Sequence, residues 1–388
     1  MNQNKKNTII ILYPTQIDIL KSNVLYDVDY TVFDPNNDIK FKYLFSSLLY
    51  IPKIFIKNFY IFKEVNLIRF LKILKLYFFC KAISLDISSE KPKAVLTYID
   101  NSPIFHIVSR ECSNIPFIAI QNGNRELFAM TEELIHPSHK YHIDEYFCYG
   151  PKTKDLFSQY KQNDIGKYFF CGSLKEGIFF ENNYNESISR NKIHDICLIS
   201  EWSKDENIHY KTNAWRRHKI SIEKICFFLS EYIKDNNISM SIALRSSNKE
   251  EEDFYKKYFK SNVVFYKKSK DGFSSYNASC FSNVIIALYS ALALEMIGAG
   301  VKVLYVNPFG DDNYKVTGEA CEWYLHKPNY KKFAKRLKYL LAKERISYVS
   351  DNSKDIVYIN SFDYSKPMHK LLRQSILRKI NEKRLNEQ

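Results

Sequence analysis

The chain has 388 residues, more than the roughly 250–300 that one hydrophobic core ordinarily spans, so two domains are expected. A hydrophobic share of 45% excludes wholesale disorder. The formal net charge of +14 favours contact with phosphates or anionic surfaces. Its basic residues are dispersed rather than gathered in stripes, which argues against a nucleic-acid partner.

The eight cysteines are scattered singly, without a C-x-x-C pair. This spacing predicts neither a zinc site nor a disulfide framework, and reduced thiols favour a cytoplasmic location. The chain starts MNQNKKNTIIILYP, in which a short apolar run ends at Pro14 without a small-residue cleavage site. We therefore expect Thr8–Tyr13 to be a first buried strand rather than a signal peptide.

The segment Phe41–Ile83 is rich in Phe, Tyr, Leu and Ile, is interrupted every few residues by Lys or Arg, and holds Glu64 as its only acid. It contains no run of about 20 uncharged apolar residues that could span a bilayer. Two interpretations stay open. The segment forms an amphipathic surface that contacts the inner membrane, or a pair of packed helices with snorkelling lysines. The rarity of acids favours the membrane.

From Ala94 onward, apolar strands alternate with helical segments. Strands are predicted within 94–100, 115–123, 145–149, 167–171, 194–200, 238–244, 262–266, 283–288 and 301–306. This alternation predicts an α/β fold with parallel, doubly wound sheets. Two such halves predict Rossmann-like domains at 1–178 and 192–350, followed by a tail with a basic helix at 351–388.

In open α/β sheets, ligands bind beyond the carboxyl ends of the strands. Polar residues follow six of the predicted strands, and they supply the candidate site residues Asp100, Gln121, Asn122, Arg125, Ser173, Glu201, Arg245 and Ser290. Their convergence predicts a polar ligand cleft.

Ser290 lies between a strand and the helix ALALEMIGAG, where its hydroxyl and the free N–H groups of the helix start can hold phosphate oxygens. Glu295 follows one turn later and could accept hydrogen bonds from a ribose diol. The alternative is that Ser290 only caps a core helix and that Glu295 faces solvent. Arg125 and Arg245 could grip a carboxylate or phosphate, although Arg125 could also be a surface residue beside Glu126.

Asp100 and Glu201 are the catalytic candidates, because a strand-end carboxylate can act as nucleophile or general base in glycosyl transfer. Capping of the next helix is the competing interpretation for Asp100. The histidines of HPSHKYH, at 136, 139 and 142, lack a metal-binding pattern, so no metal site is expected. The sequence also lacks the glycine-rich fingerprints of NTPases and NAD enzymes and the G-x-S-x-G elbow of α/β-hydrolases.

The runs IDNSPIFHIVS (Ile99–Ser109) and FIAIQNGNR (Phe117–Arg125) resemble those of bacterial transferases that assemble surface carbohydrates. YGPKTKDLF, CGSLKEG, LISEWS, LYSALALEMIGAGVKVLYVNP and SFDYSKPMHKLL agree with this resemblance, which covers most of the chain from Ala94. It implies a GT-B fold of two facing Rossmann-like domains with an interdomain cleft, and a C-terminal helix that crosses back to the first domain.

Within this group the pattern looks most like the Kdo transferases of capsule and O-antigen assembly, which use CMP-Kdo. The resemblance implies a metal-independent glycosyltransferase without a cofactor, acting at the cytoplasmic face on a glycan or lipid-linked glycan acceptor. It implies a sugar adduct on Asp100 or Glu201, with Arg125 and Arg245 binding the donor. Two alternatives remain: a CDP-glycerol-type polyol-phosphate transferase that uses a histidine base, and a non-catalytic scaffold of the polysaccharide machinery.

Overall fold

The computed structural model describes residues 8–59, 66–125, 142–159, 164–189, 192–203, 213–259, 263–316 and 321–385. The chain divides into two compact units. The first unit comprises Met1–Leu174 and Ser365–Gln388, and the second unit comprises Lys175–Tyr364. The last segment of the chain therefore belongs to the same unit as its first residues.

Within its described residues, the first unit is built on a six-stranded parallel sheet. The strands are β1 Ile9–Leu12, β2 Tyr30–Phe33, β3 Ala94–Thr97, β4 Phe117–Ile120, β5 His142–Cys148 and β6 Asp164–Phe170. Their order is β2-β1-β3-β4-β5-β6. Strands β1, β3 and β4 are buried at every position, as continuous apolar runs in a doubly covered parallel sheet should be.

Helices cover this sheet: α1 Ile17–Asn23, α2 Phe41–Leu48, α3 Ile51–Asn58, α4 Leu67–Glu90, α5 Pro103–Glu111 and α6 Pro151–Ser158. Helix α4 is the longest, with 24 residues. It begins where the Asn66 side chain accepts the N–H of Arg69, and it ends at Lys91 in the left-handed conformation. Phe70, Ile73 and Tyr77 on its inner face join the hydrophobic core of this unit.

The second unit begins at Lys175, within helix α7, Leu174–Ser189. Its strands are β7 His194–Ile199, β8 Met240–Ala243, β9 Val263–Tyr266, β10 Ser282–Ala287, β11 Lys302–Asn307 and β12 Tyr324–His326. Their order is β12-β11-β10-β7-β8-β9, and every recorded pairing is parallel. This is the 3-2-1-4-5-6 order of a doubly wound nucleotide-binding sheet. The α/β fold predicted from the alternation is confirmed.

The helices of the second unit after α7 are α8 Asn213–Asp235, α9 Lys249–Lys256, α10 Ser274–Cys280, α11 Ala291–Gly298, α12 Tyr330–Ala342, α13 Arg345–Asp351 and α14 Ser353–Ile359. Helix α15, Met368–Leu385, returns to the first unit. There the buried carboxylate of Glu145 accepts hydrogen bonds from Ser375 and, at 2.6 Å, from Arg378. Among the described helices, none is both long enough and apolar enough to cross a membrane.

Candidate functional site

The strand order of the second unit contains a topological switch point. Strands β7 and β10 are neighbours, and the chain leaves them toward opposite sides of the sheet, β8-β9 on one and β11-β12 on the other. Ligands in open α/β sheets bind outside the carboxyl ends of the strands at this topological switch point. The residues that follow are Glu201 after β7 and the Leu288–Ser290 turn after β10, both named from the sequence.

The Glu201 carboxylate bridges these two strand ends. It accepts the backbone N–H of Leu288 at 2.8 Å and that of Tyr289 at 2.9 Å. Burial raises the pKa of Glu201 above its ordinary value, while the N–H of Tyr289 and the nearby His218 oppose that rise. Because both oxygens contact backbone N–H groups, the carboxylate fixes the turn that starts α11.

Ser290 is the N-cap of α11, with extended backbone at φ −60° and ψ 133°. Its hydroxyl makes no capping hydrogen bond within the described helix, and its carbonyl accepts the Tyr305 hydroxyl at 2.8 Å. A helix start whose cap hydroxyl is not used by its own backbone can receive an anion through both the hydroxyl and the N–H groups of the first turn. The capping alternative for Ser290 therefore lacks the bond on which it depends.

Glu295 lies one turn into α11 and is only 6% exposed. Its carboxylate accepts a hydrogen bond from the hydroxyl of Tyr276 in α10, so it does not face solvent as the alternative interpretation required. Burial lowers the pKa of Lys175, and the nearby carboxylate of Glu295 partly restores it. Neither Tyr276 nor Lys175 could be identified from the sequence, because only the fold brings α10, α7 and α11 together.

Arg245, after β8, has an exposed side chain, while the backbone of its loop is held by a buried carboxylate. The buried Glu251 of α9 accepts the N–H of Arg245 at 2.8 Å, the N–H of Ser246 at 2.9 Å and the hydroxyls of Ser246 and Ser200. Glu251 thus joins the ends of β7 and β8. Sequence reasoning missed it, because the run Glu250–Glu252 does not reveal which acid faces inward.

His218 in α8 completes the polar edge. Its Nε2 lies 3.0 Å from the backbone carbonyl of Glu201, and its Nδ1 lies 3.2 Å from the Tyr314 hydroxyl. The sequence analysis did not name it, because it lies inside a helix rather than after a strand. His218 therefore adds a histidine beside the switch point, a residue type that the catalytic candidates Asp100 and Glu201 did not include.

The strand-end residues of the first unit bind one another. The Asp100 carboxylate is fully buried and accepts the Arg125 Nε at 2.9 Å, a second bond from Arg125 Nη2, the Tyr146 hydroxyl at 2.6 Å and the Asn122 N–H at 3.2 Å. Tyr146 was not predicted. Asp100 does not cap α5, as the alternative interpretation held, because Ser102 is the N-cap there and accepts the Phe105 N–H.

The other predicted site residues of this unit are either hydrogen-bonded to neighbouring protein groups or buried. The Gln121 side chain is 2% exposed, accepts the Tyr149 N–H and the Thr153 hydroxyl at 3.0 Å each, and donates to the Gly123 carbonyl at 2.8 Å. Asn122 accepts a bond from Arg125. Ser173, after Gly172, is 1% exposed. The structure brings together four of the predicted residues, Asp100, Gln121, Asn122 and Arg125. Each of them makes hydrogen bonds to neighbouring protein groups.

Of the three histidines of HPSHKYH, those at 136 and 139 lie outside the described residues. His142 is described, and its Nδ1 contacts the Asp164 carboxylate at 3.0 Å. The described part of the chain holds no cluster of three side chains suited to a metal ion.

Solved structures define the class of this protein. S. aureus MnaA, solved with UDP, matches with a TM-score of 0.51 at 12% identity over 96% of each chain. A UDP-N-acetylglucosamine 2-epimerase matches with a TM-score of 0.52 at 11% identity, covering 97% of this chain and 96% of its own. The H444N variant of the wall teichoic acid polymerase TagF matches with 0.51 at 10% identity, over 98% and 90%. The protein therefore has a GT-B-like fold.

A family model gives a more specific relationship than the fold. Residues 118–317, just over half of the chain, match the model of a family described as "putative O-antigen biosynthesis protein". The chain belongs to this family. A search of curated proteins gave no significant match. None of the proteins named here is a Kdo transferase, so that finer resemblance stays a prediction.

Proposed function

We propose that the protein is a glycosyltransferase of O-antigen biosynthesis that binds a nucleotide sugar at the carboxyl edge of the second sheet. Its acceptor would be a glycan or a lipid-linked glycan at the cytoplasmic face. The observation that carries the proposal is the start of α11 at the topological switch point, where the Ser290 hydroxyl makes no capping hydrogen bond within the described helix. Membership in the O-antigen family supports it.

Each group of this edge has a role in the proposal. The first turn of α11 and the Ser290 hydroxyl bind the donor phosphates, and the exposed Arg245 pairs with a phosphate or sugar carboxylate. Glu295 accepts hydrogen bonds from the ribose in exchange for that of Tyr276. Glu201 acts through the backbone, because it holds the turn on which the phosphates rest.

The contacts of Asp100 and Glu201 favour positioning roles over the nucleophilic role predicted from the sequence. Asp100 is fully buried under four hydrogen bonds, and Glu201 is held by two backbone N–H groups. Intact-mass analysis after incubation with donor separates these roles. A sugar adduct on the wild type that disappears in Asp100→Ala or Glu201→Ala would restore the nucleophile, and its absence fits positioning.

A thermal-shift screen tests the donor site. The panel contains CMP, which the resemblance to Kdo transferases implies, UDP, with which MnaA was solved, and CDP, GDP and dTDP. A nucleotide at about 100 times its dissociation constant stabilises the folded protein by about 2.7 kcal/mol. We expect one nucleotide to shift the transition selectively, and Glu295→Ala to weaken that shift. Glu344→Ala, an exposed acid on α13's cap, is the matched control.

Failure of every nucleotide to bind would overturn the donor site and favour the scaffold alternative. Binding without sugar transfer calls for product analysis, because a polyol-phosphate transferase would use the same edge. That reaction forms a phosphodiester, which phosphorus NMR detects in the product, and depends on a histidine base. His218, which lies near the Tyr314 hydroxyl and the Glu201 carbonyl, is the candidate for that base under this alternative, and His218→Asn would then abolish phosphodiester formation.

A further inference from the structure

The outer faces of α2, α3 and the start of α4 carry an unusual density of exposed apolar side chains. Leu49 is 83% exposed, Ile56 74%, Phe41 72% and Ile68 69%. Nearly half of the exposed large hydrophobic side chains in the described chain fall within residues 41–59 and 67–71. These side chains are called the apolar ridge below. Soluble surfaces seldom expose contiguous apolar area on this scale, so the ridge calls for an occupant.

The ridge is one continuous surface. Helices α2 and α3 are joined by Leu49 and Tyr50 alone, and both pack against α4. The ring of Phe55 in α3 lies 5.8 Å from that of Phe70 in α4, beside the turn that exposes Leu67 and Ile68. Along α2 the exposed apolar residues recur at i, i+4 and i+7, which places them on one helical face.

The same helices are anchored in the fold by their opposite faces. Phe70, Ile73 and Tyr77 of α4 are 2–7% exposed and belong to the core of the first unit. The packed-helix interpretation of Phe41–Ile83 is therefore correct for the inner face of α4. It leaves the ridge unexplained, because the ridge lies on the face that the core does not use.

The described residues of α2, α3 and the start of α4, which form the ridge, carry positive charge only. The described residues 41–59 and 66–83 contain no aspartate or glutamate, whereas Lys42, Lys53, Arg69 and Lys72 are exposed there. From neighbouring elements, Glu111 in α5 pairs with Lys57 at 3.3 Å and Lys81 at 2.9 Å. The cations that Glu111 does not pair with flank the apolar side chains, as lysines flank interfacial helices.

We propose that the apolar ridge docks the first unit onto an anionic phospholipid bilayer, with its apolar side chains in the headgroup–acyl boundary and the flanking cations on lipid phosphates. The helices lie in the plane of the interface, since none of those described can span the bilayer. Charge favours this occupant: the described residues of the ridge helices from 41 to 59 and from 66 to 83 carry cations and no acid, which matches an anionic lipid surface, and a second copy of the same face would repel it. Docking needs no donor and is independent of the proposed function.

Vesicle co-sedimentation of the full chain tests this docking. Vesicles of phosphatidylcholine with about 30% phosphatidylglycerol should bind the protein, and pure phosphatidylcholine should bind it at least about tenfold more weakly. Leu49→Asp with Ile56→Asp should lower binding to the anionic vesicles by about tenfold or more, because charged side chains replace apolar side chains that would enter the bilayer. Both side chains are exposed, so the fold should survive.

Matched variants in the second unit separate the ridge from general hydrophobicity and charge. Ile346 is 82% and Val357 56% exposed, so Ile346→Asp with Val357→Asp should leave binding unchanged. Lys53→Glu with Lys72→Glu should weaken binding more than Lys331→Glu with Lys335→Glu, although the net charge changes equally.

Three outcomes would overturn the proposal: no binding to anionic vesicles, equal binding to neutral ones, or equal loss in the ridge and control variants. A dimer that Leu49→Asp with Ile56→Asp dissociates in analytical ultracentrifugation, without vesicle binding, would assign the ridge to a second copy.

Discussion

Each unit fixes a strand-end loop with a carboxylate, but the two carboxylates have different hydrogen-bond partners. In the first unit, Asp100 is held by side chains, namely the guanidinium of Arg125 and the phenol of Tyr146. In the second unit, Glu201 is held by the backbone N–H groups of Leu288 and Tyr289. In the first unit, the Arg125 guanidinium that could bind an anionic ligand is already paired with Asp100. The second arrangement uses no cation, and Arg245 of the same edge has an exposed side chain.

The serines that cap the helices after β3 and β10 show the same contrast. Ser102, before α5, accepts the Phe105 N–H at 3.3 Å and hydrogen-bonds to the Tyr13 hydroxyl at 2.6 Å, across the switch point between β1 and β3. Ser290, before α11, makes no such capping bond within the described helix. A helix start whose cap hydroxyl makes no capping bond is the kind that can receive an anion, which is why the proposed donor site lies at α11 rather than at α5.

Asp100→Ala should have the largest effect on stability. It leaves the Arg125 guanidinium, 7% exposed, without its carboxylate, and an unpaired buried charge of this kind costs about 3–5 kcal/mol. Urea unfolding measures the loss. The double variant Asp100→Leu with Arg125→Met should lose clearly less, because no charge stays behind. A stable Asp100→Ala protein that has lost only the proposed transferase activity would instead make Asp100 catalytic and contradict the comparison.

Acid should weaken the first unit through His106. Burial lowers the pKa of His106 from 6.5 to about 4, and its Nε2 lies 2.7 Å from the Asp100 carbonyl. The unfolded chain takes up the proton below pH 6.5 and the folded chain only near pH 4, so this contribution is complete above pH 6.5 and is lost between these values. The loss is about 3 kcal/mol, from 1.36 kcal/mol per pKa unit.

Urea unfolding at several pH values between 4 and 8 tests His106. His106→Gln cannot titrate, so the difference in unfolding free energy between wild type and variant should shrink as the pH falls. A difference that stays constant with pH would mean that the pKa of His106 is the same in the folded and the unfolded protein.

Much of this architecture was predictable, because continuous apolar strands and their spacing depend on local sequence. The strand–helix–strand piece around Ser290 and Glu295 was found because both residues belong to one contiguous motif. The side-chain pairs formed by the candidate residues were not predictable. Asp100 was identified as a catalytic candidate and Arg125 as a donor-binding group, yet they bind each other, and this pairing depends on the register of β3 and β4. Tyr146, from the next strand, could not be found from sequence for the same reason.

Glu251→Gln should have an intermediate effect. The side-chain amide puts an N–H₂ group where the carboxylate accepts bonds from Arg245, Ser246 and Ser200, which we expect to cost about 2 kcal/mol of unfolding free energy. Glu250→Gln, exposed on the same turn of α9, should stay within about 0.5 kcal/mol. Equal effects of the two variants would show that Glu251 does not fix the second unit's edge.

The smallest effect should come from the two cap serines, and it tests the contrast between the units most directly. Ser290→Ala should leave the unfolding free energy nearly unchanged, since no capping bond is lost, yet weaken nucleotide binding about fivefold, the effect of one hydrogen bond of about 1 kcal/mol. Ser102→Ala should do the reverse, destabilising the fold by about 1 kcal/mol without changing nucleotide affinity. Calorimetric titration and urea unfolding of both variants give the four values. If Ser290→Ala destabilised the fold and left affinity intact, its hydroxyl would be an ordinary cap, and the anion site at α11 would have to rest on backbone N–H groups alone.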